Sequence, residues 1–383
     1  MSYAIQEIFK NSYTDYQEIH PTYPDTHKVA WAISNCKTPL MGGNQAVCQD
    51  CQASHTHYNS CRNRHCPCCQ AINREKWIDA RKADVVDALY FHGVFTVPHE
   101  LNHLIFSNKK ILYNLLYSSC AETLKELAQD KRYLGAEIGF TTILHTWGSD
   151  LSYHPHIHAI VLGGGLSKEQ KFLSAKTGFL FPIKAVSKLF RGKFLHGLKI
   201  LYDEGQLKIP FSNVMLQYRR EFNDFLSLLY AKEWIPHLKE TFKGAENVIN
   251  YLGRYTHNIA ISNSRILKVT SDSVTFKIKD YRTGKPSTLT LSLVEFIRRF
   301  LMHVLPDRFV RIRHYGLLSN RSKCKKMTLV RSLIGGAVFK PKFKDMTTLE
   351  ILKNLYGIDP KICKKCGSTN LRNRRLIFTP KLE

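Results

Sequence analysis

Acidic residues are scarce in this chain. Only 31 Asp and Glu stand against 56 Lys and Arg, giving a formal net charge of +25 over 383 residues. A surface so unbalanced repels itself unless a polyanion covers it, and a nucleic acid gains counterion-release entropy by doing so. Long apolar runs are missing too: no stretch reaches the ~20 residues of a membrane-spanning helix. The opening residues, MSYAIQEIFKNSYTDYQ, lack the charged-then-apolar build of a secretory signal. Together these absences point to nucleic acid rather than a bilayer as partner, and to the cytoplasm. There is no internal repeat and no low-complexity tract, which excludes solenoids and long disordered linkers.

What remains is an ordinary globular composition, 44% hydrophobic and 23% charged, in a chain long enough for two or three domains. Ile5, Ile8, Phe9 and Tyr13 recur at helical spacing. A cysteine-rich knot runs from Cys36 to Cys69, and residues 70–90 read as a helix leading out of it. From Phe91 strands and helices mix without βαβ alternation: FHGVFTV, a helix near 108–130, then GFTTILHTW and HPHIHAIVLGGG. This predicts an α+β fold, an antiparallel sheet with helices on one face. Residues 215–256 read as mostly helical, broken by Pro236. Two alternating runs joined by TGKP predict a small hairpin or three-stranded sheet, followed by a helix from Leu293 to Val304 and a basic tail. Boundaries are expected at 1–85, 86–265 and 266–383.

The cysteines carry the first chemical signal. Cys48-x2-Cys51 and Cys66-x2-Cys69 are two knuckles of the kind that place paired thiolates around tetrahedral Zn²⁺, and are the leading ligand set. Cys61, His65 and Cys36 are candidates for a second zinc. Cys363-x2-Cys366 is a half-site that needs Cys324, a histidine or a partner chain to complete it.

The second signal is the segment SYHPHIHAIVLGGG. On a strand, residues i and i+2 share a face about 6.5–7 Å apart, so His156 and His158 can chelate one cation while Ile157 turns to the core. Antiparallel pairing would bring His145 onto that face as third ligand, with His99 and Glu100 the alternative. The third signal is NVINYLGRYTHNIAISNSRI, where Tyr251 and Tyr255 stand four residues apart and share a face if helical. Two phenols so placed could attack phosphodiesters, with Arg254 and His257 at hand for phosphate. Arg265, Arg311 and Arg313 are further candidate DNA contacts.

In combination these blocks resemble the transposases of the insertion sequence 91 family, of the two-tyrosine, His-hydrophobic-His class. SCRNRHCPCCQ, FHGVFTVPHEL, LHTWGSDLSYHPHIH, YLGRYTHNIAISNSRI and RIRHYGLLSNR follow in the family's order. The resemblance implies a ferredoxin- or RRM-like nuclease domain behind a small zinc-binding domain. It implies a Mg²⁺ or Mn²⁺ ion on His156 and His158, with Tyr251 and Tyr255 as nucleophiles forming 5′-phosphotyrosine links by a rolling-circle-like route. The implied partner is single-stranded DNA at transposon ends and target in a bacterial nucleoid, with oligomers of the chain among the options and no membrane. A plasmid replication initiator or relaxase, or a zinc-containing DNA-binding regulator without chemistry, are the competing readings.

Overall fold

A computed structural model of the chain describes residues 4–241, 253, 260–280, 283–336 and 339–377, and every structural statement concerns these. Ile5, Ile8, Phe9 and Tyr13 fall on one face of α1 (Ala4–Ile19) and are buried, as their spacing predicts. α2 (Pro24–Asn35) starts on a proline, whose missing N–H costs nothing at a first helical position. The cysteine-rich stretch contains a hairpin, β1 (Gly43–Cys48) and β2 (Ser54–Tyr58). α3 (Ala71–Lys82) is shorter than the 70–90 helix expected. The Val86 N–H is taken by the Tyr90 hydroxyl at 3.2 Å, and Tyr90 opens β3 (Tyr90–Thr96).

Next come α4 (Asn102–Ser107), α5 (Lys109–Gln129), β4 (Glu137–Trp147), β5 (Tyr153–Leu166), β6 (Phe172–Ser174), α6 (Ile183–Asp203) and α7 (Arg219–Ala231). The helix expected through 215–256 stops at Ala231. Pro236 instead precedes β7 (His237–Glu240), an edge strand, where a proline costs no ladder bond. β8 (Ile266–Val269), β9 (Ser273–Lys279) and β10 (Pro286–Ser292) form the small sheet expected around TGKP. α8 (Leu293–Met302) follows, its first turn capped by the Ser292 hydroxyl accepting from the Glu295 N–H at 3.2 Å. β11 (Ile312–Gly316), α9 (Lys323–Ile334), α10 (Thr348–Tyr356) and β12 (Leu371–Leu376) complete the described elements.

The central sheet is antiparallel, in the order β11-β4-β5-β3-β7, with β6 added to β5. Strand alternation gives it two unlike faces. Phe91, Phe95, Phe140, Leu144, Ile157 and Val161 point to one face, in the core built with α5, α6 and α7. Helices on one face alone were expected, but the second face is partly covered as well. There Tyr90, Ile143, Ile160 and Leu162 pack with Met327 and Val330 of α9, and Trp77 of α3 joins them. This opposite face also carries the histidines. Gly163–Gly165 lie inside β5. A Cβ at Gly165 would meet the Glu137 carbonyl at 2.4 Å, so the glycines allow close approach at a register irregularity.

Segments far apart in the sequence share packing and strand pairing. One core joins Ile5, Ile8, Phe9 and Ile33 from the N-terminus with Phe276, Phe296 and Phe300 from the far half of the sequence. β12 likewise pairs with β1, in the order β12-β1-β2.

Gly316 ends β11 at φ +58°, where a Cβ would stand 1.8 Å from the Ile138 carbonyl oxygen. Gly316→Ala is expected to destabilise the protein by about 2 kcal/mol or more. Thermal unfolding checks this, and an unchanged midpoint would contradict the packing described.

Candidate active site and metal centres

The register of the central sheet assembles a histidine cluster. His145 of β4 is the direct antiparallel partner of His156 of β5, and His158 follows two residues on, on the same face. Facing residues of such pairs bring their Cβ atoms within about 5 Å. One nitrogen from each of His145, His156 and His158 lies within 4.8 Å of the others. The Nε2 atoms of His156 and His158 stand 3.1 Å apart. The alternative third ligands are elsewhere: His99 is exposed, and Glu100 is engaged by Lys232.

The His154 carbonyl fixes the tautomer of His156. His156 Nδ1 donates to the His154 carbonyl at 2.7 Å, which leaves the Nε2 lone pair facing the cluster. His158 Nδ1 lies 2.8 Å from Nε2 of His92, a residue of β3 that the sequence reading missed. With His158 Nδ1 as donor there, its Nε2 is again a lone pair. Two lone pairs 3.1 Å apart repel, and a cation between them relieves this. An octahedral ion with ligands at about 2.0–2.1 Å sets adjacent donors about 3 Å apart, so the donor set fits a divalent metal. Burial holds His156 down to about pH 4 and pushes His158 well below its ordinary value. Both are neutral at pH 7, as ligation requires. Trp147 stacks on His145 at 4.7 Å between ring centres.

The candidate DNA contacts fare differently. Tyr251, Tyr255, Arg254 and His257 lie outside the described residues. Arg311 is no surface contact: it is 7% exposed, donates to the Leu144 carbonyl at 3.0 Å and stands over the Trp147 ring. Arg265 is held by the Lys277 and Ser149 carbonyls. Arg313 donates to Asn114 at 2.6 Å and stacks on Tyr117. Arginine pattern alone could not tell such guanidiniums, spent on the protein's own acceptors, from those facing a phosphate.

The cysteines sort into two groups, and the partition differs from the expected one. Cys36, Cys61, Cys66 and Cys69 gather in one, and Cys48, Cys51, Cys363 and Cys366 in the other. The knuckles Cys48-x2-Cys51 and Cys66-x2-Cys69 therefore do not share a site. His65 belongs to neither group. Its Nε2 accepts the Leu305 N–H at 3.1 Å and its Nδ1 donates to Asn63 at 3.1 Å, so both nitrogens are spent. Cys68 is outside both groups, its backbone N–H donating to the Cys66 sulfur at 3.4 Å.

Comparison with known proteins bears on both centres. Residues 8–97 match a family model described as "Transposase zinc-binding domain", and residues 139–326 one described as "Putative transposase". A protein of Sinorhizobium fredii (strain NBRC 101917 / NGR234), itself named a "putative transposase", is 42% identical over 340 residues, covering 88% of this chain and 85% of the relative. The chain belongs to the insertion sequence 91 family of transposases. The transposase for insertion sequence element IS801 of Pseudomonas savastanoi pv. phaseolicola is 27% identical over 350 residues, covering 90% of this chain and 81% of that one. No solved structure matches.

In this transposase, His145, His156 and His158 fall inside the second matched region, and Cys36, Cys61, Cys66 and Cys69 inside the first. Structural zinc is thus a property of the N-terminal domain, and the Cys36 group has the all-thiol donor set for it. Cys363 and Cys366 lie in neither matched region. No helix among the described residues is long and apolar enough to cross a membrane.

Cys66 is 1% exposed within the core that packs α1 and α2, whereas Cys68 is only half-buried and outside the group. Cys66→Ser should lose one zinc equivalent and unfold the α1–α2 region, while Cys68→Ser keeps its full zinc content. Metal analysis with circular dichroism checks both, and equal losses in the two variants would overturn the partition.

Proposed function

We propose that this transposase cleaves and rejoins single-stranded DNA at the histidine cluster, through 5′-phosphotyrosine links to Tyr251 and Tyr255. In this reading it moves an insertion sequence by a rolling-circle-like route. The observation that supports this most is the set of three imidazoles, with His156 and His158 neutral, gathered on one sheet face at metal-ligating distance. Bound there, Mg²⁺ or Mn²⁺ would polarise the scissile phosphate and stabilise the charge of the transition state. His145, His156 and His158 would hold one side of its coordination shell and leave the other for phosphate oxygens. His92 and the His154 carbonyl orient the two chelating rings.

The tyrosines supply the nucleophile. A phenol oxygen attacks phosphorus, forming the Oη–P bond as the P–O3′ bond breaks. The phenolic proton passes to solvent, and the departing 3′-oxygen takes one up. One phosphoester replaces another, so a later 3′-hydroxyl can reverse the step and join strands without ATP. Gly253, between the two tyrosines, supports the assignment. It is buried so tightly on Ile78 of α3 that a Cβ would come within 2.2 Å, and α3 lies against the histidine face of the sheet. Beyond that face, the charge of +25 suits a DNA backbone.

His156→Ala or His158→Ala is expected to abolish cleavage of labelled single-stranded DNA with Mn²⁺ while leaving binding within a few-fold of wild type. His145→Ala should be nearly as damaging. Tyr251→Phe with Tyr255→Phe should fold and bind yet form no covalent adduct, whereas at least one single variant still nicks. A histidine variant that cleaves at the wild-type rate would refute the centre. An adduct in the double tyrosine variant would place the nucleophile elsewhere. No adduct from wild-type protein would favour a non-catalytic DNA-binding regulator.

A further inference from the structure

The second cysteine group draws its ligands from opposite ends of the chain. Cys51 and Cys363, 312 residues apart in sequence, have their sulfurs 3.6 Å apart, and Cys48 and Cys366 are also 3.6 Å apart. All four sulfurs lie within 4.8 Å of one another. Tetrahedral Zn²⁺ with Zn–S bonds of about 2.3 Å puts its sulfurs about 3.8 Å apart, close to this spacing. A disulfide would need about 2.05 Å and would pair the sulfurs two by two instead of gathering four.

The two knuckles are built alike. In each, the residue after the second cysteine takes positive φ, Gln52 at 58° and Gly367 at 76°. In each, that residue's N–H returns to the carbonyl of the first cysteine, Gln52 to Cys48 and Gly367 to Cys363, both at 2.9 Å. The backbone joins them as well. The Gln49 N–H donates to the Asn370 carbonyl at 2.9 Å, and Asp50 accepts from Ser368 and from Asn370. β12 then pairs with β1 from Cys48↔Leu371 to Gly43↔Leu376. The sheet has almost no core of its own, since β12 is exposed along its middle and β2 nearly throughout. Only Gly43, Ala46 and Cys48 of β1 are buried, and three short strands with so small a buried face hold together poorly in water unless something else binds them.

We propose that Cys48, Cys51, Cys363 and Cys366 form a second structural zinc site, which clasps the C-terminal tail to the N-terminal hairpin. The matched zinc-binding region supplies one knuckle, and the tail beyond both matched regions supplies the other. Loop closure grows only logarithmically with length, so the long separation is no bar once the body of the protein has folded. The clasp holds exposed arginines on both faces of β12, Arg372 and Arg374 on one and Arg375 on the other, and their order depends on the metal.

The full-length protein tests this without reference to DNA cleavage. Metal analysis should return two zinc equivalents, and Cys363→Ser with Cys366→Ser should return one, with helix content unchanged. In the unmodified protein, iodoacetamide should label the exposed Cys324 quickly and leave Cys363 and Cys366 unlabelled until a chelator is added. Labelling of Cys363 and Cys366 as fast as Cys324 before chelation would overturn the proposal. So would two zinc equivalents retained by the double variant, or peptide mapping that finds these four cysteines in disulfides.

Discussion

Antiparallel pairing of β4 with β5 is the constraint on which the rest of the molecule depends. Fourteen residues of β5 run between β4 and β3, and their alternation decides what enters the core and what joins the histidine cluster. Ile157, Ala159 and Val161 go inward, while His156 and His158 go to the other face. A slip of one residue would exchange the two sets, placing imidazoles in the apolar core and turning Ile157 and Val161 to the histidine face. The same register sets His145 opposite His156. An irregularity just beyond, where Trp147 faces Tyr153, ends the regular pairing at the cluster's edge, a usual place for a bulge beside a functional site. The energy of the core thus also pays for the geometry of the cluster.

Segments from both halves of the sequence pack together beside this sheet. α1 and α2 pack with the helix and strands of residues 273–304, and the segment between Cys61 and Cys69 reaches into the same region. Arg64 donates to the Phe309 and Pro306 carbonyls at 2.6 and 2.7 Å, while His65 accepts from Leu305. The cysteine-rich segment is therefore more than a metal-held appendage. It pins the stretch leading into β11, the strand that flanks β4, and so links the cysteine cluster mechanically to the sheet that carries the histidines.

Much of this was legible in the sequence, for identifiable reasons. The α+β class, α1, α5, the hairpin around TGKP and α8 follow from periodicity. The placing of His145, His156 and His158 on one face follows from the period of two and from antiparallel pairing across a short loop. The failures have causes as specific. Pairing Cys48 and Cys51 with the nearer Cys66 and Cys69 was the natural reading of spacing, but spacing says nothing of a knuckle arriving from the other end of the chain. His65 looked like a ligand because it sits among cysteines; only its contacts with Leu305 and Asn63 show where its nitrogens go. His92 was readable in principle, since it shares a strand face with Val94 and Thr96, which pair with His158 and His156. Arg265 and Arg311 carry charge that the fold spends internally, and composition cannot distinguish that use from binding DNA.

On the proposed reading, the histidine face of the sheet is a divalent-metal centre serving a tyrosine nucleophile. Its most direct measurement is peptide mapping of the covalent product formed by the wild-type protein with single-stranded DNA. After nuclease trimming, mass spectrometry should find the nucleotide on the peptide holding Tyr251 and Tyr255, in samples given Mg²⁺ or Mn²⁺ and not in samples depleted of metal. A nucleotide on any other residue, or the same adduct at equal yield without divalent metal, would contradict the account.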